Sequence, residues 1–236
     1  MSSVDVAEVA KFGRLAARWW DPAGPMRPLH AMNPLRVGWI GERVEARLVT
    51  PVRLLDIGCG AGIAAEAFAR RGFDVVGVDA SAEAVAAAEA HAAGRGLALS
   101  YRVGNAEDLA AEGARFDVVT ALEVIEHVAD QAAFVRVLAS LLAPNGLLFL
   151  STINRTARSL AVAKIGAEYV ARMLPIGTHD WRRFVPPARL AGWGRAAGLG
   201  LVDMTGMEMS ALTGTWRATR RVGVNYLVQF ATLPHA

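Results

Sequence analysis

Apolar and polar positions fall into a regular rhythm from residue 52 onward. "VRLLDIG" (52–58) is a short apolar run ending in glycine, and "DVVGVD" (74–79), "FDVVTAL" (116–122) and "GLLFLSTI" (146–153) are runs of the same kind. "LALSYRVG" (97–104) alternates instead. Such segments predict strands, buried on both faces where the apolar residues are continuous. Alanine-rich stretches between them predict helices over 63–72, 82–94 and 130–142, with Gly72 stopping the first and Ser81 capping the second. Strands alternating with helices predict an α/β fold, a parallel sheet covered on both faces.

The flanks differ. Residues 5–18 predict a helix, with Val6, Val9, Ala10 and Leu15 at helical spacing. "ARWWDPAGPMRPLHAMNPLR" (17–36) then holds two adjacent tryptophans and four prolines. A second helix is predicted over 34–48, with Pro34 in its first turn. After residue 153 comes a long connection over 154–187, a helix over 188–198, and last strands near 199–209 and 222–230. The chain reads as one domain: an N-terminal helical lid (1–50), a core (51–153), an insertion (154–187) and a C-terminal helix with strands (188–236).

Composition narrows the function classes. With 53% hydrophobic and 20% charged residues, the 236-residue chain is globular. Its net charge of +3 and the lack of any Lys/Arg block argue against a nucleic-acid partner. Cys59 is the single cysteine, so no intrachain disulfide forms and a reducing compartment fits. "MSSVDVAEVAKF" lacks the apolar stretch of a secretory signal, and no apolar run suffices to span a bilayer, so a cytoplasmic location is expected.

Two places carry candidate chemistry. Gly58, Gly60 and Gly62 stand between a strand and a helix, where glycine permits a sharp turn and close approach of a ligand. Asp56 precedes them, Asp79 ends the next strand at the spacing of a ribose-binding acid, and "GNAEDL" (104–109) follows the third strand. A NAD-binding oxidoreductase is disfavoured, because the third glycine comes one residue early for the dinucleotide fingerprint. The second place is "ALEVIEHVAD" (121–130), at the strand edge where such sheets bind ligands. If it forms one helical turn, Glu123, Glu126 and His127 share a face. Two carboxylates and an imidazole suit a divalent metal, or equally a general base with its supports.

The glycine loop, Asp79 and the segment after the third strand resemble the S-adenosylmethionine (SAM)-dependent methyltransferases. That resemblance implies a Rossmann-like sheet of seven strands with an antiparallel last strand, 222–230 inserting against 146–153. It implies that Gly58 and Gly60 hold the methionine end of SAM, Asp79 the ribose, and Ala106 with its neighbours the adenine. Asn105 departs from the aspartate many members carry there. "RWWDP", "PLHAMNPLR", "GAEY", "RMLPIGTHDWRRF" and "GVNYL", outside the generic core, resemble the ubiquinone-biosynthesis O-methyltransferases from about residue 8 to residue 230. This implies O-methylation of a polyprenyl catechol and of demethylubiquinol, both membrane-resident, with a ubiquinone-biosynthesis complex as a partner. It also implies Arg36 and Leu122 as SAM contacts. The mitochondrial members of that family imply Glu123, Glu126 and His127 as ligands of Mg²⁺ or a similar ion, with the general-base reading kept beside it; in either reading Glu123 and His127 are the catalytic candidates. Another SAM-dependent methyltransferase of small phenols or quinols is the alternative, and a non-catalytic scaffold is disfavoured by the intact loop.

Trp19, Trp20, Pro22, Pro25 and Pro28 are then expected to form a stiff apolar lid that keeps water from the reacting charges. A membrane-bound acceptor needs a membrane contact. In 157–174, Val162, Ile165, Tyr169 and Met173 fall on one helical stripe, and Arg158, Arg172, Arg182 and Arg183 flank it. That pattern suits peripheral association with the anionic surface of the inner membrane, or a lid packed on the domain.

Overall fold

The computed structural model describes residues 9–10, 13, 15–160, 181–210 and 213–233. Among the described residues eight strands form one sheet: β1 (Arg53–Ile57), β2 (Asp74–Asp79), β3 (Leu99–Val103), β4 (Phe116–Leu122), β5 (Leu142–Ile153), β6 (Leu199–Met209), β7 (Trp216–Thr219) and β8 (Asn225–Thr232). Their order is β3-β2-β1-β4-β5-β8-β6-β7. The first five are parallel, and β8 inserts antiparallel against β5, pairing Ile153 with Asn225 and Leu147 with Ala231. The insertion expected of the last strand is therefore present. The eighth strand, β7, was not expected; it pairs antiparallel with β6, Met209 opposite Trp216.

Helices cover both faces: α1 (Arg27–Glu45), α2 (Ile63–Arg70), α3 (Ala82–Ala92), α4 (Ala106–Ala111), α5 (Gln131–Ser140) and α6 (Pro187–Ala196). Local chemistry sets their ends. Ser81 accepts a hydrogen bond from the Ala84 amide, Asp130 from that of Ala133, and Asn105 with Asp108 forms a capping box. The second predicted helix begins seven residues earlier than expected. Pro28 stands in its first turn, and Pro34 lies inside it. Proline at that point removes a backbone donor, but the next residue back is fixed from outside, since Asn33 Nδ2 donates to the Ile63 carbonyl at 2.9 Å.

The apolar core has two halves, one on each side of the sheet. Residues of α1 and α2 pack with Leu54, Val118, Phe149 and Leu227 on one face. Residues of α4, α5 and α6 pack with Leu55, Val119, Leu148 and Val228 on the other. The period-two alternation of the strands does this sorting. All the parallel strands end at one rim, and the antiparallel β7 and β8 begin there. Trp216 and Asn225 thus join Asp79, Leu122 and Ile153 at the same edge of the sheet.

Candidate active site

A cavity of about 370 Å³ opens at this rim, within the range of small-molecule sites. Its first half lies over the glycine loop. Gly58, Gly60 and Gly62 all adopt left-handed φ, of +70°, +54° and +87°. A Cβ on Gly58 would stand 2.5 Å from Val124 Cγ2, and one on Gly60 would collide with the indole of Trp19. Backbone is therefore what the loop offers a ligand. Asp79 Oδ2 accepts the Gly60 amide at 2.8 Å and Oδ1 accepts the Ser81 amide at 2.9 Å, tying the loop to the end of β2. Burial raises the Asp79 carboxyl above its ordinary value, and these backbone donors pull it back.

Arg36 enters from α1. It is 3% exposed, and its hydrogen bond among the described residues is long, 3.4 Å from Nη2 to Asn33 Oδ1. Its Nε is buried with no hydrogen-bond partner among the described residues. Burial lowers its pKa, while the charges of Glu123 and Asp56 raise it. Asp56, 2% exposed, accepts a hydrogen bond from Thr120 Oγ1 at 2.6 Å. Burial pushes its carboxyl up to about 6, against the hydrogen bond of Thr120 and the charge of Arg36. An arginine fork with an unused Nε–H at the wall of a cavity has the geometry that suits a carboxylate.

The second half of the cavity lies past the end of β4. Glu123 is a non-glycine residue at φ +57°, a conformation that costs energy and concentrates at functional sites. Ser151 holds it there. The Glu123 amide donates to the Ser151 carbonyl and hydroxyl, each at 3.0 Å, and the hydroxyl donates back to Oε1 at 2.7 Å. Asn225 Nδ2 stands 3.5 Å from Oε2. A 3₁₀ turn over Ile125–His127 follows.

Of the residues singled out in the sequence, Arg36, Gly58, Gly60, Asp79, Ala106 and Leu122 line this one cavity, and so do Glu123 and His127. Glu126 is outside its wall. It is 2% exposed, Oε2 accepts from Thr152 Oγ1 at 2.7 Å, and burial with the charge of Glu123 pushes its carboxyl up to about 7. The one-turn expectation fails because Glu123 leaves helical φ and the turn after it is 3₁₀. Among the described residues no three His, Cys, Asp or Glu side chains converge as metal ligands. In this arrangement the metal set expected of Glu123, Glu126 and His127 is not formed.

The two tryptophans expected of a lid part company. Trp19 is buried against Gly60 and lines the cavity with Pro25 and Pro28, whereas Trp20 packs outside it. Two cavity residues with hydrogen-bonding side chains escaped sequence reasoning. Asn225 lies in the "GVNYL" motif, and Trp216 comes from β7; the Trp216 indole N–H is buried without a partner among the described residues. The segment proposed for membrane contact lies mostly outside the described residues, with only 157–160 inside. No described helix is long and apolar enough to cross a membrane.

A family model for a methyltransferase domain matches residues 33–203. A ubiquinone biosynthesis O-methyltransferase from Azorhizobium caulinodans is 45% identical over 236 residues, covering 96% of this chain and 93% of its own. One from Pseudomonas aeruginosa is 47% identical over 230 residues, covering 97% and 98%. Among solved structures, the magnesium protoporphyrin IX methyltransferase from Synechocystis with bound SAM shares the fold with a TM-score of 0.65. It has 17% identity and covers 99% of this chain and 100% of its own.

Proposed function

The chain belongs to the ubiquinone biosynthesis O-methyltransferases, and we infer from this and from the cavity that it transfers a methyl group from SAM to a phenolic oxygen. The acceptors we propose are a polyprenyl catechol and demethylubiquinol, one site serving both O-methylations. The observation that carries the reading is Arg36, a buried guanidinium with spare donors in the same cavity as the glycine loop and Asp79. These residues fit SAM: a fork for its carboxylate, bare backbone beneath its methionine chain, and a carboxylate for its ribose.

When bound, SAM supplies an electrophilic methyl group on a sulfonium. The protein orients the acceptor and excludes water. Attack of a phenolate on a sulfonium consumes two opposite charges, which water stabilises more than it does the transition state. Trp19, Pro25, Met26 and Pro28 wall the cavity with apolar surface. A phenol titrates near pH ~10, so at neutral pH its proton needs an acceptor. His127, on the cavity wall beside Glu123, accepts it as general base.

The Mg²⁺ version of this site has one observation in its favour: Glu126 Oε1 is buried with no hydrogen-bond partner among the described residues. It requires Glu126, which does not line the cavity here, to turn Oε1 toward Glu123 and His127. Turnover of a short-tailed prenyl catechol with labelled SAM tests the function, and repeating it with chelator separates the two versions. Loss of turnover restored by Mg²⁺, with SAM affinity unchanged, selects the ion; unchanged turnover selects His127 alone. A protein that binds no SAM by calorimetry would refute the reading altogether.

The acceptor's tail places the reaction at a membrane. We propose that residues 157–174 provide the contact, peripherally on the anionic cytoplasmic face of the inner membrane. The apolar stripe and its flanking arginines support this. Sedimentation with acidic liposomes, absent in a variant carrying Ile165→Glu and Met173→Glu, is the test.

A further inference from the structure

The methyl-transfer reading uses Trp19 and leaves its neighbour unexplained. The Trp20 indole lies flat on the imidazole of His91, ring centroids 3.4 Å apart and planes 8° from parallel. Its Nε1 donates to the Ala61 carbonyl, in the glycine loop, at 2.8 Å. His30 meets the same indole edge-on at 5.8 Å, and its Nε2 is 2.9 Å from the Trp19 carbonyl oxygen.

His91, on α3, is itself held from two sides. Its Nδ1 is 2.6 Å from Glu66 Oε2, and Arg95 donates to its Nε2 at 3.1 Å. A guanidinium only donates, so Nε2 accepts, and Nδ1–H donates its hydrogen bond to Glu66 Oε2. Glu66 is 1% exposed and also paired with Arg70. None of Glu66, His91 or Arg95 lines the cavity. A buried carboxylate and an arginine together fix the plane of a ring whose free face carries one tryptophan.

We propose that His91 is a positioning residue for the cofactor: it seats Trp20 as a latch that holds Trp19 closed over the glycine loop. The inference rests on SAM occupying this cavity. Trp19 and Trp20 are consecutive, so seating one indole on His91 fixes where the other lies against Gly60. Unseating Trp20 releases its bond to Ala61 and loosens Trp19, whose carbonyl His30 still meets, enough to uncover the cofactor half of the cavity while leaving Glu123 and His127 in place. The latch sets how fast SAM and its demethylated product exchange, and it leaves the chemical step alone.

The test compares His91→Leu, which removes the flat ring, with His91→Phe, which keeps one for stacking. Stopped-flow dissociation of SAM and of the demethylated product should be about tenfold faster in His91→Leu, the upper range for an aromatic stack. KM for SAM should rise by a similar factor. KM for the phenol and the single-turnover rate at saturating SAM should not move. His91→Phe should stay within about threefold of wild type. Equal dissociation rates in wild type and His91→Leu overturn the proposal, as does a phenol KM that moves as far as the SAM KM. Trp20→Leu, which leaves the Glu66–His91–Arg95 set intact, must show the same split, and it decides the matter if the histidine variant does not fold. A wild type that binds SAM but shows none of these differences sinks the latch alone. A wild type that binds no SAM sinks the methyltransferase reading and the latch with it.

Discussion

Trp19 and Gly60 fill one another's space: the indole rests on the glycine backbone with no room for a Cβ between them. The contact joins the most unusual segment of the sequence to the most generic motif in it. It explains why glycine is required at 60 on two counts, the left-handed φ of +54° and the indole above. Gly60→Ala should therefore lift Trp19 and strain the loop together. We expect a stability loss of about 1–3 kcal/mol, measured by urea unfolding, and SAM affinity at least ~10-fold weaker by calorimetry.

Arg36→Lys preserves charge and removes the fork. If the fork receives the SAM carboxylate, affinity for SAM should fall by about 10–100-fold, the worth of a charge-assisted bidentate pair. Affinity for methylthioadenosine, which keeps the adenosine and lacks the carboxylate, should be equal in wild type and variant. Isothermal titration of both ligands against both proteins makes the comparison. A parallel loss for the two ligands would assign Arg36 to holding the cavity's shape.

His127→Ala should lower turnover by about 10²–10⁴-fold near neutral pH, the usual contribution of a positioned base. Turnover should recover as pH rises toward ~10, where the phenol ionises unaided. A steady-state pH profile of the variant reads this directly. A variant with no rise at alkaline pH would remove His127 from the proton's path.

Most of the sheet was legible because its strands are buried on both faces, and continuous apolar runs such as "DVVGVD" have no other comfortable environment. Helix ends were legible where one residue decides them, as Ser81 and Gly72 do. What was not legible depends on partners distant in sequence. "WRAT" has no period of its own, and its four residues become β7 only against β6. "PMRP" and "NPLR" both offer a proline for a helix start, and the choice of the first rests on tertiary contacts of α1. The site divides in the same way. The glycine loop and Asp79 are local and were visible. That Glu126 turns to Thr152 while Glu123 turns to Ser151 follows from a left-handed backbone at Glu123, and nothing in "LEVIEHV" announces it.

Register also creates the pair that governs pH behaviour. Asp56 and Thr120 are directly opposed on β1 and β4, and Thr120 Oγ1 donates a hydrogen bond to Asp56 Oδ1. Burial nevertheless dominates, holding the Asp56 carboxyl near 6 in place of its ordinary 3.8. The sign of the consequence follows by linkage. Between the unfolded and folded values the native state binds a proton that the unfolded chain has lost, so stability falls as pH rises through this window. The contribution is complete below pH 3.8 and gone above about 6. Asp56→Asn keeps the shape, removes the titration and places no charge in the core. Its unfolding free energy should exceed that of wild type at pH 8, by an amount on the order of 1–3 kcal/mol, and the gap should close as pH falls toward 4. Urea unfolding of both proteins at pH 4, 6 and 8 measures it. A gap that widens on acidification would mean that Asp56 is held ionised by Arg36, with the charge of the pair outweighing the cost of burying it.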